Sequence, residues 1–438
     1  MTDPDVPGGS PTEERVAAHP ELSRRALLGA AAAGTAGLVI GGLTGPLLIA
    51  SPAAAPTEPA VPEPTVHPFF GAHQAGITTP VQDHLFFAAF DMVDGTDRRD
   101  LERLLRDWTA GAARLTEGLQ VGASGALAGD AELPPDDTGE ALDLTPSALT
   151  VTIGFGPGLF ERNGVDRYGL AAARPPELER LPPFKDDALK ASSSGGELGL
   201  QVCADDPQVA VHAVRNLARI AAGRAGARWS QAGFGRTSRT TAGQHTPRNL
   251  LGFKDGTNNI LSDDPDGLDR DVWVARDDGP AWLAGGTYLV LRKIEVLIED
   301  WDQEPLSSQQ TIIGRAKGSG APLSGGHELS APDFEARVGG ALAIDRASHV
   351  RLAHPSNNRG RRILRRGYNY VDGHHPDGRL DAGLVFISFQ RTPGQFIAIQ
   401  RALATDRLNE YVRHVGSAIF AVPPGASAGG YIGETLLG

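Results

Sequence analysis

The chain has almost no sulfur: one cysteine and two methionines among 438 residues. A single thiol, Cys203, excludes an intrachain disulfide and any metal site built from clustered cysteines. An exported form would have to be stable without cross-links. In the run "LGLQVCADD" the thiol reads as a buried strand residue. Basic charge is also in deficit, with 41 Lys plus Arg against 53 Asp plus Glu and a net charge of −12. Nucleic-acid binding needs a basic footprint, so nucleic acid is excluded as the main partner. The arginines that do cluster, in "NNRGRRILRRGYNY", suit a buried anion better than a DNA groove. Hydrophobic residues make up 40% and charged residues 21%, ordinary for a chain with a substantial core. The length favours two or three domains.

Charge is missing altogether from residues 26–50. Arg24 and Arg25 precede this stretch, and a patch of small residues, 51–55, follows it. A charged start, an apolar middle and an A-x-A-like exit form a signal-peptide pattern, and "SRRALL" resembles a twin-arginine signal. An uncharged run of this length also suffices for a membrane anchor. Gly34, Gly37, Gly41, Gly42, Gly45 and Pro46 favour the cleaved signal. The expectation is a signal over residues 1–50, export by the twin-arginine machinery, and an extracellular, periplasmic or cell-envelope location. That route carries folded proteins, often with a cofactor already bound. Residues 51–68 are proline-dense and read as an extended tether. The folded part is expected to begin near Phe69.

Within it, "DHLFFAAFDM" predicts a strand, and "DRRDLERLLRDWTAGAARLTEGL" a helix with Leu101, Leu104, Leu105 and Trp108 on one face. Asp97 or Asp100 is placed to cap that helix. "ALTVTIGFG" and "ELGLQVCADD" predict strands, "PGLFER" a short helix, and "DPQVAVHAVRNLARIAAG" a helix capped by Asp206 and ended at Gly223. The second half repeats the theme. "RWSQAGFGR", "GGTYLVLRKIEVLIEDW" and "DAGLVFISFQRTP" predict strands; "PLSSQQTIIGR" and "PGQFIAIQRALA" predict helices. The reading is an α+β chain of two ferredoxin-like domains, residues 69–225 and 226–438, joined near Gly226. Residues 122–144 and 171–196, rich in Gly, Pro, Ser and Asp, are expected to be long surface loops.

Three stretches of the second half carry chemistry. In "NLLGFKDGTNN", Asp255 lies between Gly252 and Gly256. An aspartate in a glycine turn is common, but such a turn also lets backbone approach a bulky ligand while projecting a carboxylate. In "DRASHVRLAHPSNN", His349 is a candidate metal donor, with His354 five residues on as a competitor. His374 and His375, in "DGHHPDG", suit an exposed turn better than a metal cage. "RRILRRGYNY" supplies Arg365 and Arg366. One imidazole can hold a porphyrin iron. A carboxylate and an arginine on the other face can move a proton between peroxide oxygens and stabilise the departing one. An arginine nearby also favours the ionised form of a carboxylate.

With these motifs in this order the chain resembles the dye-decolourising (DyP-type) heme peroxidases, over the whole folded part. "FFGAHQAGI" looks like a family stretch, and "GFKDGTNN" matches the Gly-x-x-Asp-Gly signature. The resemblance implies Asp255 as distal aspartate, His349 as proximal ligand of heme b, and Arg365 rather than Arg366 as distal arginine. It further implies Gly256, Thr257 and Asn258 against the heme and Arg315, in "TIIGRAKGSGAPL", paired with a propionate. Where the resemblance leads to asparagine before the proline, this chain has His354. The implied fold is a dimeric-barrel-like pair of ferredoxin-like domains. The implied activity is reduction of hydrogen peroxide with one-electron oxidation of dyes or phenols. Two alternatives stand beside it: a heme-handling, deferrochelatase-like protein that releases iron, or a heme-binding protein without turnover. A homo-oligomer is left open. Val385, Ile387 and Phe389 share one strand face, which walls either the heme pocket or plain sheet core. Trp229, Trp273, Trp282, Trp301, Tyr368 and Tyr370 are candidates to relay electrons, provided they reach the surface.

Overall fold

The computed structural model describes residues 64–438. The signal expected over residues 1–50, and the tether up to residue 63, lie outside the described residues. Residues 64–68 run along the folded body, where the Thr65 carbonyl accepts from Ala148 N at 3.1 Å, and Phe69 is buried.

The first half contributes strands β1 (His84–Met92), β2 (Thr150–Phe155), β3 (Leu198–Ala204) and β4 (Ala225–Arg236). Helices Arg98–Thr116 and Pro207–Ala221 link the first to the second and the third to the fourth. In the second half follow β5 (Thr287–Val296), a small hairpin of β6 (Arg337–Val338) and β7 (Ala341–Leu342), β8 (Leu364–Arg365), β9 (Tyr368–His374), β10 (Leu380–Gln390) and β11 (Val412–Val422). Helix Leu306–Ile313 lies between β5 and β9, and helix Pro393–Ala402 between β10 and β11. The strand order is β2-β3-β1-β4 in one half and β9-β10-β5-β11 in the other. Numbered within each half, both read second, third, first, fourth, so each half is a ferredoxin-like unit and the fold is α+β.

The halves are joined edge to edge. Antiparallel β11 meets β2, with Ala421 opposite Phe155, and β4 meets β9, with Phe234 opposite Asn369. The sheet thereby closes into a barrel. Gly226, where the sequence reading joins its two domains, lies inside β4, and the chain passes from one half to the other after that strand. Leu85, Phe87, Leu289, Leu291, Tyr368, Val385, Ile387 and Phe420 fill the barrel interior. The largest core cluster packs the first-half helices onto the outer face of their strands.

Local signals explain most elements. Asp97 caps helix Arg98–Thr116 through Asp100 N, and Asp100 returns a bond to Asp97 N, so both aspartates serve in one capping box. Leu101, Leu104, Leu105 and Trp108 form its buried stripe. Asp206 caps Pro207–Ala221, and Cys203 is buried on β3. The long strand expected over residues 285–301 ends at Val296. A short helix, Ile298–Asp302, replaces its last part. This turn buries Trp301 between Phe253 and Tyr411 and lets its indole donate to Leu251 O at 3.1 Å.

Trp108 tests the outer core. It is fully buried, stands edge-on to Phe90 and donates to Leu217 O at 2.7 Å. Trp108→Ala is expected to cost about 3–5 kcal/mol, read as a lower denaturation midpoint. A wild-type midpoint would contradict the packing described.

Candidate functional site

The loop that carries Asp255 is built on two left-handed glycines. At Gly252 (φ +81°) a Cβ would lie 2.7 Å from Lys317 Cε; at Gly256 (φ +82°) it would lie 2.7 Å from Ser238 Cα. The turn is fixed by Asp255 N donating to Pro247 O at 2.9 Å. The carboxylate projects from it. Its Oδ1 accepts from Gly256 N at 2.8 Å and from Arg365 Nη1 at 2.6 Å, and Oδ2 accepts from Asn249 Nδ2 at 3.2 Å. Lys254 turns away to Glu328.

Asn259, a residue the motif reading passed over, holds the two parts together. Its Nδ2 donates to Arg365 O at 2.8 Å, its Oδ1 accepts from Arg365 N at 2.8 Å, and Nδ2 also donates to Arg239 O at 2.8 Å. Arg365 lies on β8 opposite Ser388 of β10. Its neighbour Arg366 points the opposite way, as alternate strand residues do. Arg366 is fully buried and donates to Thr79 O at 2.6 Å, to Pro80 O at 3.1 Å and to Gln82. It anchors the first-half segment just after "FFGAHQAGI" and has no part in the pair with Asp255.

His349 opens a one-turn helix, His349–Ala353, after Ser348. Its Nδ1–H donates to Asp406 Oδ2 at 2.6 Å. Asp406 is buried and its Oδ1 accepts from Leu408 N at 2.9 Å, which fixes the carboxylate. This leaves Nε2 as the free donor atom of the ring. Burial disfavours a charge on His349, but Asp406 outweighs burial and raises it above its ordinary value; Asp255 adds to the rise and Arg365 opposes it. His354 is engaged differently. Its Nδ1 accepts from Ser356 N at 3.2 Å and lies 2.8 Å from Ser356 Oγ. Burial and the Arg315 charge lower it.

Asp255, Gly256, Thr257, Asn258, Arg315, His349 and Arg365 all line one cavity of about 270 Å³. Its walls are mostly aliphatic and aromatic, among them Leu251, Ile294, Ile313, Leu384, Phe386 and Phe396. Of the two roles left open for the Val385, Ile387 and Phe389 face of β10, sheet core is the one it takes. Val385, Ile387 and Phe389 point into the barrel core, and the alternate residues Leu384 and Phe386 face the cavity. Arg315 donates through Nη1 to Gly320 O at 2.7 Å and to Glu328 O at 2.9 Å while lining the cavity. Another side of the cavity carries Arg292, paired with Asp187 of the first-half loop, and His414. Burial, then the Arg292 charge, pushes His414 down to about 4, so it stays neutral in ordinary conditions. The six aromatics considered as surface relays are all buried, with Trp229 and Trp273 the least so at 8% exposure.

This donor set fits heme. One imidazole is pinned by a buried carboxylate, which orients it and strengthens its Nε2 as a ligand. The cavity is apolar enough for a porphyrin, and arginines border it. Fold and site together define a heme-dependent oxidoreductase.

Comparison with known proteins narrows this. The Dyp-type peroxidase N-terminal family matches residues 74–235, and the C-terminal family residues 246–427. The chain is 39% identical over 378 residues to a deferrochelatase of Escherichia coli O157:H7, across 84% of this chain and 87% of that protein. It is 41% identical to a DyP-type peroxidase from Cellulomonas bogoriensis (TM-score 0.77, covering 86% of this chain and 99% of that one). It is 40% identical to DtpA from Streptomyces lividans, solved as an oxyferrous complex (TM-score 0.78, covering 86% and 98%). The chain belongs to the Dyp-type peroxidase family, and its cofactor is heme.

The raised His349 predicts a pH dependence. A proton on Nε2 competes with iron, so heme uptake by heme-free protein is expected to weaken as pH falls through a value above the ordinary 6.5. Asp406→Asn removes the main raising influence. It should move that acid limit to lower pH and weaken uptake at neutral pH. Heme titrations from about pH 5 to about pH 9 measure this; an unmoved limit would show that Asp406 does not act on the ring.

Proposed function

We propose that this heme peroxidase cleaves hydrogen peroxide with Asp255 as the proton carrier, Arg365 as the electrostatic stabiliser and His349 as the iron ligand. The observation that carries the reading is the 2.6 Å pair of Arg365 and Asp255 lining the same cavity as the carboxylate-bound His349. When bound, heme supplies a redox iron that accepts oxidation from peroxide and passes it on to donors one electron at a time. Asp255 takes a proton from one peroxide oxygen and returns it to the other, which leaves as water. Arg365 stabilises the negative charge that develops on the leaving oxygen. Asn249 and Gly256 N hold the carboxylate by hydrogen bonds, so its aim is set before peroxide arrives. Gly256, Thr257, Asn258 and Arg315 line the cavity, and would hold the porphyrin there, Arg315 through a propionate. Aromatic dyes and phenols are the proposed reductants. The signal pattern supports export by the twin-arginine route with heme already in place.

A second reading rests on the relatives named deferrochelatase: release of iron from heme with the porphyrin left intact. The same cavity would serve it, but the Asp255–Arg365 pair has no evident use there.

Asp255→Asn should keep heme and slow peroxide turnover by about two to four orders of magnitude; a wild-type rate removes the proton-carrier role. Arg365→Leu should slow peroxide cleavage or loosen heme, and His349→Ala should strip the heme absorption band. Incubation of the protein with heme separates the two readings. Metal-free porphyrin fluorescence favours iron release, and its absence alongside fast peroxide-dependent dye oxidation favours the peroxidase.

A further inference from the structure

Three side chains able to ligate a metal converge outside the residues that line the heme cavity. Glu295, His375 and Asp381 each offer an atom within 4.8 Å of the others. They come from neighbouring strands of the second half: Glu295 from β5, His375 from the turn after β9, and Asp381 from β10. Register brings them together. Gly383 of β10 lies opposite Glu295 on one side and opposite Tyr370 of β9 on the other. It has no side chain to separate them, and a Cβ there would lie 2.0 Å from Ile294 O.

The polar groups here are not satisfied by the protein. His375 Nε2 is 3.1 Å from Glu295 Oε1, yet it is buried and makes no hydrogen bond. Tyr370 is fully buried with its hydroxyl unpartnered, and Asp381 and Glu295 are the acidic groups that bear on it most. Neither carboxylate has a lysine or arginine ion pair among the described residues. Lys293 is taken by Asp372 and Arg379 by Asp377. Two carboxylates and an imidazole with no lysine or arginine paired to them form a donor set that a cation can complete. Two donors bound to one zinc ion at about 2.0–2.2 Å lie about 3.0–3.5 Å apart, which is the spacing His375 Nε2 and Glu295 Oε1 already have.

We propose that Glu295, His375 and Asp381 bind a divalent first-row transition cation, separate from the heme, that ties β5 to β10 and to the β9–β10 turn. One nitrogen and two carboxylate donors suit such an ion better than a soft one. The Tyr370 hydroxyl then donates to a ligating carboxylate and steadies it.

Calorimetric titration of heme-loaded, chelator-treated protein with Zn²⁺ tests this. One site of micromolar affinity or tighter is expected, together with a higher thermal midpoint in Zn²⁺. His375→Ala and Asp381→Asn should each weaken binding at least about tenfold and abolish the midpoint shift, whereas His374→Ala should change neither. If a variant fails to fold, Glu295→Gln takes its place and is judged the same way. Wild-type protein that binds zinc only at millimolar concentration, or ligand variants that bind like wild type, would overturn the proposal.

Discussion

One side-chain amide ties the halves of the reaction site together. Asn259 belongs to the glycine loop that carries Asp255, and its amide brackets the backbone of Arg365, accepting from its N–H and donating to its carbonyl. Loop and strand therefore cannot shift independently. The guanidinium and carboxylate meet at 2.6 Å because their main chains are already registered. Preorganisation of this kind is what lets a charge pair act on a developing charge without first paying to rearrange.

The heme-ligand side follows the same logic with different parts. A fixed carboxylate, Asp406, holds one ring nitrogen of His349, and the loop that carries Asp406 is itself held by the bond from Leu408 N. Contacts from far along the chain complete the surround. Asp187, in a first-half loop rich in proline and serine, reaches Arg292 of β5 at the cavity wall. Arg366 spends its donors on carbonyls at residues 79 and 80. These two buried arginines pin first-half segments around a site whose chemistry lies in the second half, and each would be costly to bury without its partners.

The sequence carried the local part of this plainly. The Asp97 cap, the buried stripe of helix Arg98–Thr116, the buried Cys203 and the glycine turn around Asp255 depend on neighbours a few residues away, and such patterns survive in one dimension. What depends on distant pairing did not. Asp406 lies 57 residues from His349 and has no local signature as its partner. The alternation of β10 showed two faces but not which one meets the cavity, because that is set by how β5 and β9 curl around it. The strands β9 and β11 went unread: β9 starts inside an arginine cluster and β11 follows a turn-rich stretch. The six aromatics looked available for electron relay because composition says nothing about depth. Of the two histidines read as an exposed turn, His374 is exposed, whereas His375 is half-buried against Glu295, a carboxylate from a distant strand.

The cross-joined edges of the two ferredoxin-like halves have a consequence for how the molecule comes apart. Every strand of the barrel has a neighbour on both sides, and two of those junctions, β2 with β11 and β4 with β9, join the first half of the chain to the second. Neither half can loosen without baring a raw strand border on the other, the kind of surface that recruits foreign chains into aggregates. Unravelling is therefore an all-or-none affair for the whole body. That cooperativity gives a protein without cross-links a durability that disulfides supply elsewhere.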